Sequence, residues 1–410
     1  MNIDKIVTID DMREAARRRL PRIAFDFIDG GVEAETCLDR NRQAFQDYRL
    51  LPRYFVDLTK RSQKTTVFGV TYDSPLGICP TGISGLWRPH ADEMLARTAN
   101  DANIVFALPC ASNSKIEDAQ AQAPNNLWYQ LYSTRDREVG RRLVGRVGDL
   151  GFKTLVLTAD VPIVPKRERN LRNGFTRPLK FKMSTVIDGL SRPNWLMNYL
   201  KAGGGTPMMP TWQAYVKEGA TPDQVADYFG TQTPASDQSW ADLQHYRKIW
   251  PGNLVIKGLL HPQDAVRAND IGVDGIIVSN HGGRQLDMAP TPADMLPLIR
   301  AAVGEKQVLM VDSGIRRGSD VLIMMCLGAQ FAFVGRPTLY GVAAFGLPGA
   351  KKVIEILRKE IDVNLGQMGR TSLADLGPHC LMHREPPFRI MGEEPAATEM
   401  TAPSRKIGHA

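Results

Sequence analysis

The chain has 410 residues, 43% of them hydrophobic, and a formal net charge of +7. That is ample apolar content for a large core and a weak charge for a nucleic-acid binder, and no uncharged apolar run is long enough to span a bilayer. The cysteines, Cys37, Cys79, Cys110, Cys326 and Cys380, are odd in number and form no C-x-x-C pair, which argues against a disulfide framework or a zinc site and fits an intracellular, reducing compartment.

The first residues, MNIDKIVTIDDMREAARRRLP, are too charged for a signal peptide. Residues 1–70 read as a helical lead-in whose clearest helix is EAARRRLPRIAFDFIDGG. Short apolar runs of strand length then recur: SPLGICP (74–80), NIVFAL (103–108), NLWYQLY (126–132), TLVLTAD (154–160), NLVIKG (253–258), GIIVSN (275–280), QVLMVDSG (307–314) and FAFVGRP (331–337). They are often β-branched, as strands buried on both faces are. Helical patterns separate them. One runs from Pro89 to Ala102, one opens at Pro262 and closes at Gly272, and one (316–328) is expected to start on a serine cap and end at Gly328.

Eight strands alternating with helices predict a (β/α)8 TIM barrel over 71–360, within one domain that ends in a tail at 361–410. An open doubly wound sheet would want a G-x-G-x-x-G turn after an early strand, and none stands there. Residues 177–250 form a long insertion after the fourth strand, rich in Gly, Pro, Trp and Met. Such a connection inside a compact barrel is usually functional or mobile. The basic stretches RRRLPR (17–22) and KRERNLRNGFTRPLKFK (166–182) lack the aromatic spacing of a base-stacking surface, so no nucleic-acid partner is expected.

Barrel chemistry collects at the carboxyl ends of the strands. Those ends carry Pro80, Thr81 and Gly82; Pro109; Gln130 and Tyr132; Thr158 and Asp160; Lys257; Ser279, His281 and Arg284; Asp312, Ser313 and Gly314; Gly335 and Arg336. A strand that only filled a core would not stop at an imidazole and a guanidinium three residues apart. After the last two strands, glycine-rich backbone with Arg316 and Arg336 marks the usual phosphate corner of a barrel. The bland alternative is helix caps and surface arginines.

SNHGGRQLD (279–287) resembles the active-site signature of the FMN-dependent 2-hydroxy acid oxidases and dehydrogenases, the glycolate oxidase-like family. The likeness runs through LPRIAFDFIDGG, CPTG, YQLY, LTADVP, KRER, VIKG and DSGIRRGSD to VGRP, nearly the whole chain in order. Within the family the mandelate dehydrogenase branch is the most similar, through PTG, ASN, KGLL, the insertion and the closing IGHA.

The resemblance implies FMN as cofactor and oxidation of an (S)-2-hydroxy acid, aryl or bulky, to the 2-oxo acid, with a quinone-type acceptor or, alternatively, oxygen. It implies that His281 is the base, Asp160 its carboxylate, Arg284 and Arg167 the substrate-carboxylate clamp, Tyr132 the partner of the reacting oxygen and Lys257 the charge beside flavin N1. Pro80, Thr81, Gly82, Gln130, Thr158, Ser279, Asp312, Ser313, Gly314, Arg316, Gly335 and Arg336 would hold the flavin. It further implies a homotetramer and a peripheral contact of residues 177–215 with the cytoplasmic side of a membrane, the alternative for the insertion being a mobile active-site lid with no lipid contact. Two residues depart from the pattern, Phe27 where a tyrosine usually helps bind the substrate and Pro109 where a serine or threonine usually faces the flavin, and they leave open a flavoprotein with an altered substrate.

Overall fold

A computed structural model describes residues 2–175 and 182–384. Its centre is a closed barrel of parallel strands: β1 (Leu76–Ile78), β2 (Val105–Pro109), β3 (Leu127–Tyr132), β4 (Thr154–Thr158), β5 (Asn253–Leu259), β6 (Gly275–Val278), β7 (Val308–Val311) and β8 (Phe331–Val334). All eight fall on the expected apolar runs. The ring closes where β8 pairs with β1, Ala332 opposite Leu76 and Val334 opposite Ile78. The fold is therefore the expected (β/α)8 barrel.

Each strand has two apolar faces because both are covered. Phe106, Leu108, Leu155, Leu157, Ile256, Ile276 and Leu309 point to the surrounding helices and join the larger core. Their alternating neighbours Ala107, Trp128, Val156, Val255, Ile277, Met310 and Phe333 fill the barrel interior. A hairpin pairing Thr65–Val67 with Val70–Tyr72 caps the amino end of the barrel. There Phe68 packs on Trp128 (ring centroids 5.6 Å apart) and Tyr72 on Phe331 (5.6 Å).

Two local expectations need correction. The lead-in helix is two helices, Ile9–Arg19 and Arg22–Asp29, because Pro21 forces Leu20 into extended backbone (φ −87, ψ 147). The helix after β7, Gly318–Cys326, starts at Arg317 and not on a serine; Asp320 Oδ2 accepts from the N–H groups of Arg316 and Arg317, each at 2.9 Å. Gly272 (φ +91) does close Pro262–Ile271.

Between β4 and β5 the described part of the insertion is helical: Met183–Leu190, Pro193–Lys201, Pro210–Gln213, Pro222–Gln232 and Trp240–Ile249. It is pinned to the barrel by indole N–H groups, Trp195 Nε1 donating to Leu86 O (2.9 Å) and Trp212 Nε1 to Cys110 O (2.7 Å). Residues 177–181 and the closing IGHA lie outside the described residues. No helix among the described residues is long and apolar enough to cross a membrane.

Candidate active site

Side chains two residues apart on a strand share a face. One step beyond the apolar interior, the same inward rows therefore carry Gln130, Thr158, Lys257, Ser279 and Asp312. All five are buried, so each needs a partner. Gln130 Nε2 donates to Thr158 Oγ1 (3.0 Å) while its carbonyl oxygen accepts from Cys110 N–H (3.3 Å). Lys257 Nζ donates to Ser279 Oγ (2.9 Å) and stands 3.2 Å from Asp312 Oδ2 and 3.7 Å from Asp160 Oδ2. Burial alone would lower the lysine's pKa, but Asp160 and Asp312 outweigh it and raise it, so Lys257 stays charged.

His281 sits just past β6 with φ +56, followed by Gly282 (φ +65) and Gly283 (φ +70). Three left-handed residues in succession need the glycines, since only glycine adopts this region without penalty. Ser279 Oγ accepts the His281 N–H at 3.0 Å and holds the turn. The imidazole Nδ1 lies 2.8 Å from Asp160 Oδ1. Burial pushes the His281 pKa down; Asp160 opposes this, Lys257 and Arg167 reinforce it, and the net direction is down. For Asp160, burial pushes up, yet the charges of His281 and Lys257 win and hold the carboxyl below its ordinary value.

The lead-in closes over this end of the barrel. Arg284 donates to the carbonyls of Phe27 (2.8 Å) and Gly30 (2.9 Å), and its guanidinium lies 5.1 Å from the centre of the Phe27 ring. Burial, with Arg167 and Arg336 nearby, lowers its pKa well below the usual arginine value. Arg167 reaches Gln285 Oε1 at 3.2 Å. Arg336 donates to Ile28 O (3.0 Å), Gly282 O (2.8 Å) and Gly30 O (2.8 Å), and burial first of all brings its pKa down to about 10.

These groups surround one cavity of about 550 Å³, within the range of ligand pockets. Phe27, Pro80, Thr81, Gly82, Gln130, Tyr132, Arg167, Lys257, His281, Arg284, Asp312, Ser313, Gly314, Arg316, Gly335 and Arg336 line it. Asp160, Thr158 and Ser279 do not; each hydrogen-bonds a residue that does, namely His281, Gln130 and Lys257. Burial, and to a smaller degree Cys110 and Asp160, raises the Tyr132 phenol, which therefore stays protonated.

The donor set fits FMN. Arg316 and Arg336, whose charges act on each other, line the cavity together with Gly314 and Gly335, positive charge and glycine backbone as an anionic phosphate requires. Thr81 Oγ1 is buried with no hydrogen-bond partner, a polar atom left for a bound group to satisfy. Pro109 also lines the cavity and offers neither hydroxyl nor N–H.

Several lining residues escaped sequence reasoning: Cys79, whose thiol donates to Asp312 Oδ2 (3.6 Å), and an apolar wall of Trp87, Val161, Phe175 and Phe229. Phe27 packs between Phe175 (4.6 Å) and Trp87 (5.4 Å). Cys79 was legible, since it falls on the inward row at the end of β1. The wall was not: it is assembled from loops and a helix of the insertion, and no local pattern says that these segments meet.

Comparison with known proteins gives the family. The family model for FMN-dependent dehydrogenases matches residues 16–383. The (S)-mandelate dehydrogenase of Pseudomonas putida is 37% identical over 92% of this chain and 94% of its own length. A putative L-lactate dehydrogenase of Mycobacterium tuberculosis is 38% identical over 91% and 88%. Among solved structures, the monotopic membrane protein (S)-mandelate dehydrogenase superposes with a TM-score of 0.88 at 38% identity, covering 92% of this chain and all (100%) of that one. A barrel with this charged end, matched along almost its whole length, leaves one assignment: the chain belongs to the FMN-dependent dehydrogenase family and is a flavoenzyme oxidising 2-hydroxy acids with FMN.

Proposed function

We propose that the substrate is an (S)-2-hydroxy acid with an aryl or similarly bulky group, converted to the 2-oxo acid. The observation that carries this reading is the His281–Asp160 contact of 2.8 Å, in a cavity shared with Arg284, Arg167 and an aromatic wall. The substrate carboxylate lies against Arg284 and Arg167, whose planar forks suit it. Its apolar group lies against Phe27, Trp87, Phe175 and Phe229. Tyr132 donates to the hydroxyl oxygen. His281, with Nδ1 engaged by Asp160, presents Nε2 as the base that removes the substrate proton, and Asp160 stabilises the imidazolium that results. FMN supplies the acceptor for the two electrons. Lys257, which stays charged, would offset the negative charge of a reduced flavin. Thr81, Gln130, Thr158, Ser279 and Asp312 support the flavin, and Ser313, Arg316 and Arg336 its phosphate.

The electrons then pass to a quinone-type acceptor at the cytoplasmic face of a membrane, and the protein assembles as a tetramer. Supporting the membrane contact, Met183, Val186, Ile187 and Leu190 form a stripe at helical spacing that is exposed, 75% and 60% for Met183 and Ile187. The monotopic relative supports it independently.

Anaerobic mixing of the flavinated protein with a panel of hydroxy acids tests the reading. The flavin bleaches fastest with (S)-aryl acids; absence of bleaching by any 2-hydroxy acid overturns it. Rapid reoxidation in air with release of peroxide, faster than with a quinone, overturns the acceptor. A wild-type protein found wholly in the soluble fraction overturns the membrane contact, and a monomeric mass in solution the tetramer.

A further inference from the structure

A second charged constellation lies away from the cavity, where the lead-in meets the insertion. Arg19 ends the helix Ile9–Arg19. Arg192 NH1 donates to Arg18 O at 2.8 Å, which brings its guanidinium to that same helix end. Arg88 follows Leu86, the residue whose carbonyl anchors Trp195 of the insertion. Burial first, and the charge of Arg19 second, bring the Arg88 pKa down to about 10.

The nearby acids are engaged elsewhere. Glu14 pairs with Arg17 (2.6 Å) and Arg18 (2.8 Å), and Asp188 accepts from the Arg22 N–H and stands 3.9 Å from Arg192. Among the described residues, neither Arg19 nor Arg88 has a carboxylate within ion-pair reach. Arg88 instead donates to two carbonyls, Val342 O (2.6 Å) and Ala343 O (3.2 Å). The Nε atoms of Arg19 and Arg192 are buried with no hydrogen-bond partner. Arg19 and Arg88 are half-buried guanidinium groups without a counter-charge, and Arg192 has only the distant Asp188 at 3.9 Å; such burial is costly, and a bound anion offsets that cost. The helix that carries Asp188 also carries the exposed stripe of Met183, Val186, Ile187 and Leu190.

We propose that Arg19, Arg88 and Arg192 form a seat for a phosphate group, filled by the headgroup of an anionic phospholipid when the apolar stripe rests on a bilayer. The choice of lipid as the source rests on the membrane contact proposed above; the phosphate chemistry of the seat does not. Arginine suits it because its fork binds phosphate oxygens in pairs.

The test uses the flavinated full chain, vesicles of phosphatidylcholine with and without phosphatidylglycerol, and the double variant Arg19→Gln/Arg192→Gln. Expected is tighter binding of wild type to the anionic vesicles, reduced about thirtyfold in the variant at low salt (~1 kcal/mol per arginine), with binding to neutral vesicles, flavin content and substrate bleaching unchanged. Equal binding of wild type to both vesicles, unaffected by the substitutions, overturns the seat while leaving the membrane contact standing. If neither vesicle binds, the membrane contact fails and inorganic phosphate decides the rest. A rise in wild-type melting temperature that the variant lacks assigns the seat to a soluble phosphate, and no rise overturns it.

Discussion

Two layers of the barrel interior lie one pleat apart and behave as different materials. The lower layer, Trp128, Val156, Val255, Ile277, Met310 and Phe333, is apolar and stacked on the hairpin that caps the barrel. Above it on β3 to β7, the next inward positions are all polar: Gln130, Thr158, Lys257, Ser279 and Asp312. Each of these five strands thus changes role within two residues: Val255 packs, Lys257 carries charge; Met310 packs, Asp312 holds Lys257 at 3.2 Å. The floor of side chains fixes where the charged groups stand, so that the site inherits its rigidity from the core.

The largest expected effect belongs to the upper side of this division. His281→Gln should retain bound flavin yet lose between about a hundredfold and ten-thousandfold in the rate of substrate reduction, the range for removal of a general base. Flavin bleaching in single turnover measures it directly. Bleaching at the wild-type rate would remove His281 from the chemistry.

How much of this division could be read in the sequence follows from where periodicity exists. All eight strands were legible because a buried parallel strand is an uninterrupted apolar run, and the polar residue that breaks each run marks the strand's end. His281, Arg284 and Lys257 were conspicuous for that reason. Gly282 and Gly283 stand in the motif, but the left-handed turn they form beside His281 emerged only in the structure. The break at Pro21 was also present in the sequence, since proline restricts the residue before it, but the apolar pattern across 14–31 hides it. Trp87, Phe175 and Phe229 could not be located: two sit in loops and one on a helix of the insertion, they meet only through long-range packing, and an apolar residue in such a segment looks the same whether it lines a cavity or fills a gap. Likewise, the sequence offers Arg19, Arg88 and Arg192 as three unrelated surface charges.

A paired substitution separates the layers by stability. Phe333→Ala in the floor and Lys257→Met above it should each cost about 3–5 kcal/mol, the first by leaving a cavity and the second by stranding Asp160 and Asp312 without their cation. Chemical denaturation gives both values. Only the lysine variant should recover part of its loss when Asp312→Asn is added, because the stranded charge is then removed. Equal recovery in the Phe333→Ala background would mean that the layers are not distinct.

The base and its carboxylate are separable by pH. The rate requires neutral imidazole, so activity falls as pH drops through the His281 pKa, which burial already places below the ordinary value while Asp160 partly restores it. Asp160→Asn removes the one group facing His281 that raises this pKa and leaves Lys257 and Arg167, which lower it. The acid limb of kcat/KM should therefore move to still lower pH, by about one to three units, while the plateau falls because the imidazolium loses its counter-charge. A limb that stays in place or moves upward would assign Asp160 to holding Lys257 alone.

The smallest expected effect tests where the polar layer was left incomplete. Phe27 lies beneath Arg284 and between Trp87 and Phe175, so the carboxylate side of the cavity meets a ring face where the family pattern places a hydroxyl. Restoring it with Phe27→Tyr adds one donor to a charged acceptor, worth about 1.5–3 kcal/mol when well placed. KM for an aryl hydroxy acid should fall accordingly, roughly tenfold or more at 1.36 kcal/mol per decade. The KM for the corresponding neutral methyl ester should change much less, because the new bond gains its strength from the carboxylate charge. If acid and ester gain equally, the hydroxyl acts through packing and not through the carboxylate. If neither gains, the aromatic cluster holds the position 27 ring too far from the substrate for its missing hydroxyl to matter, and the departure at this residue is neutral for binding.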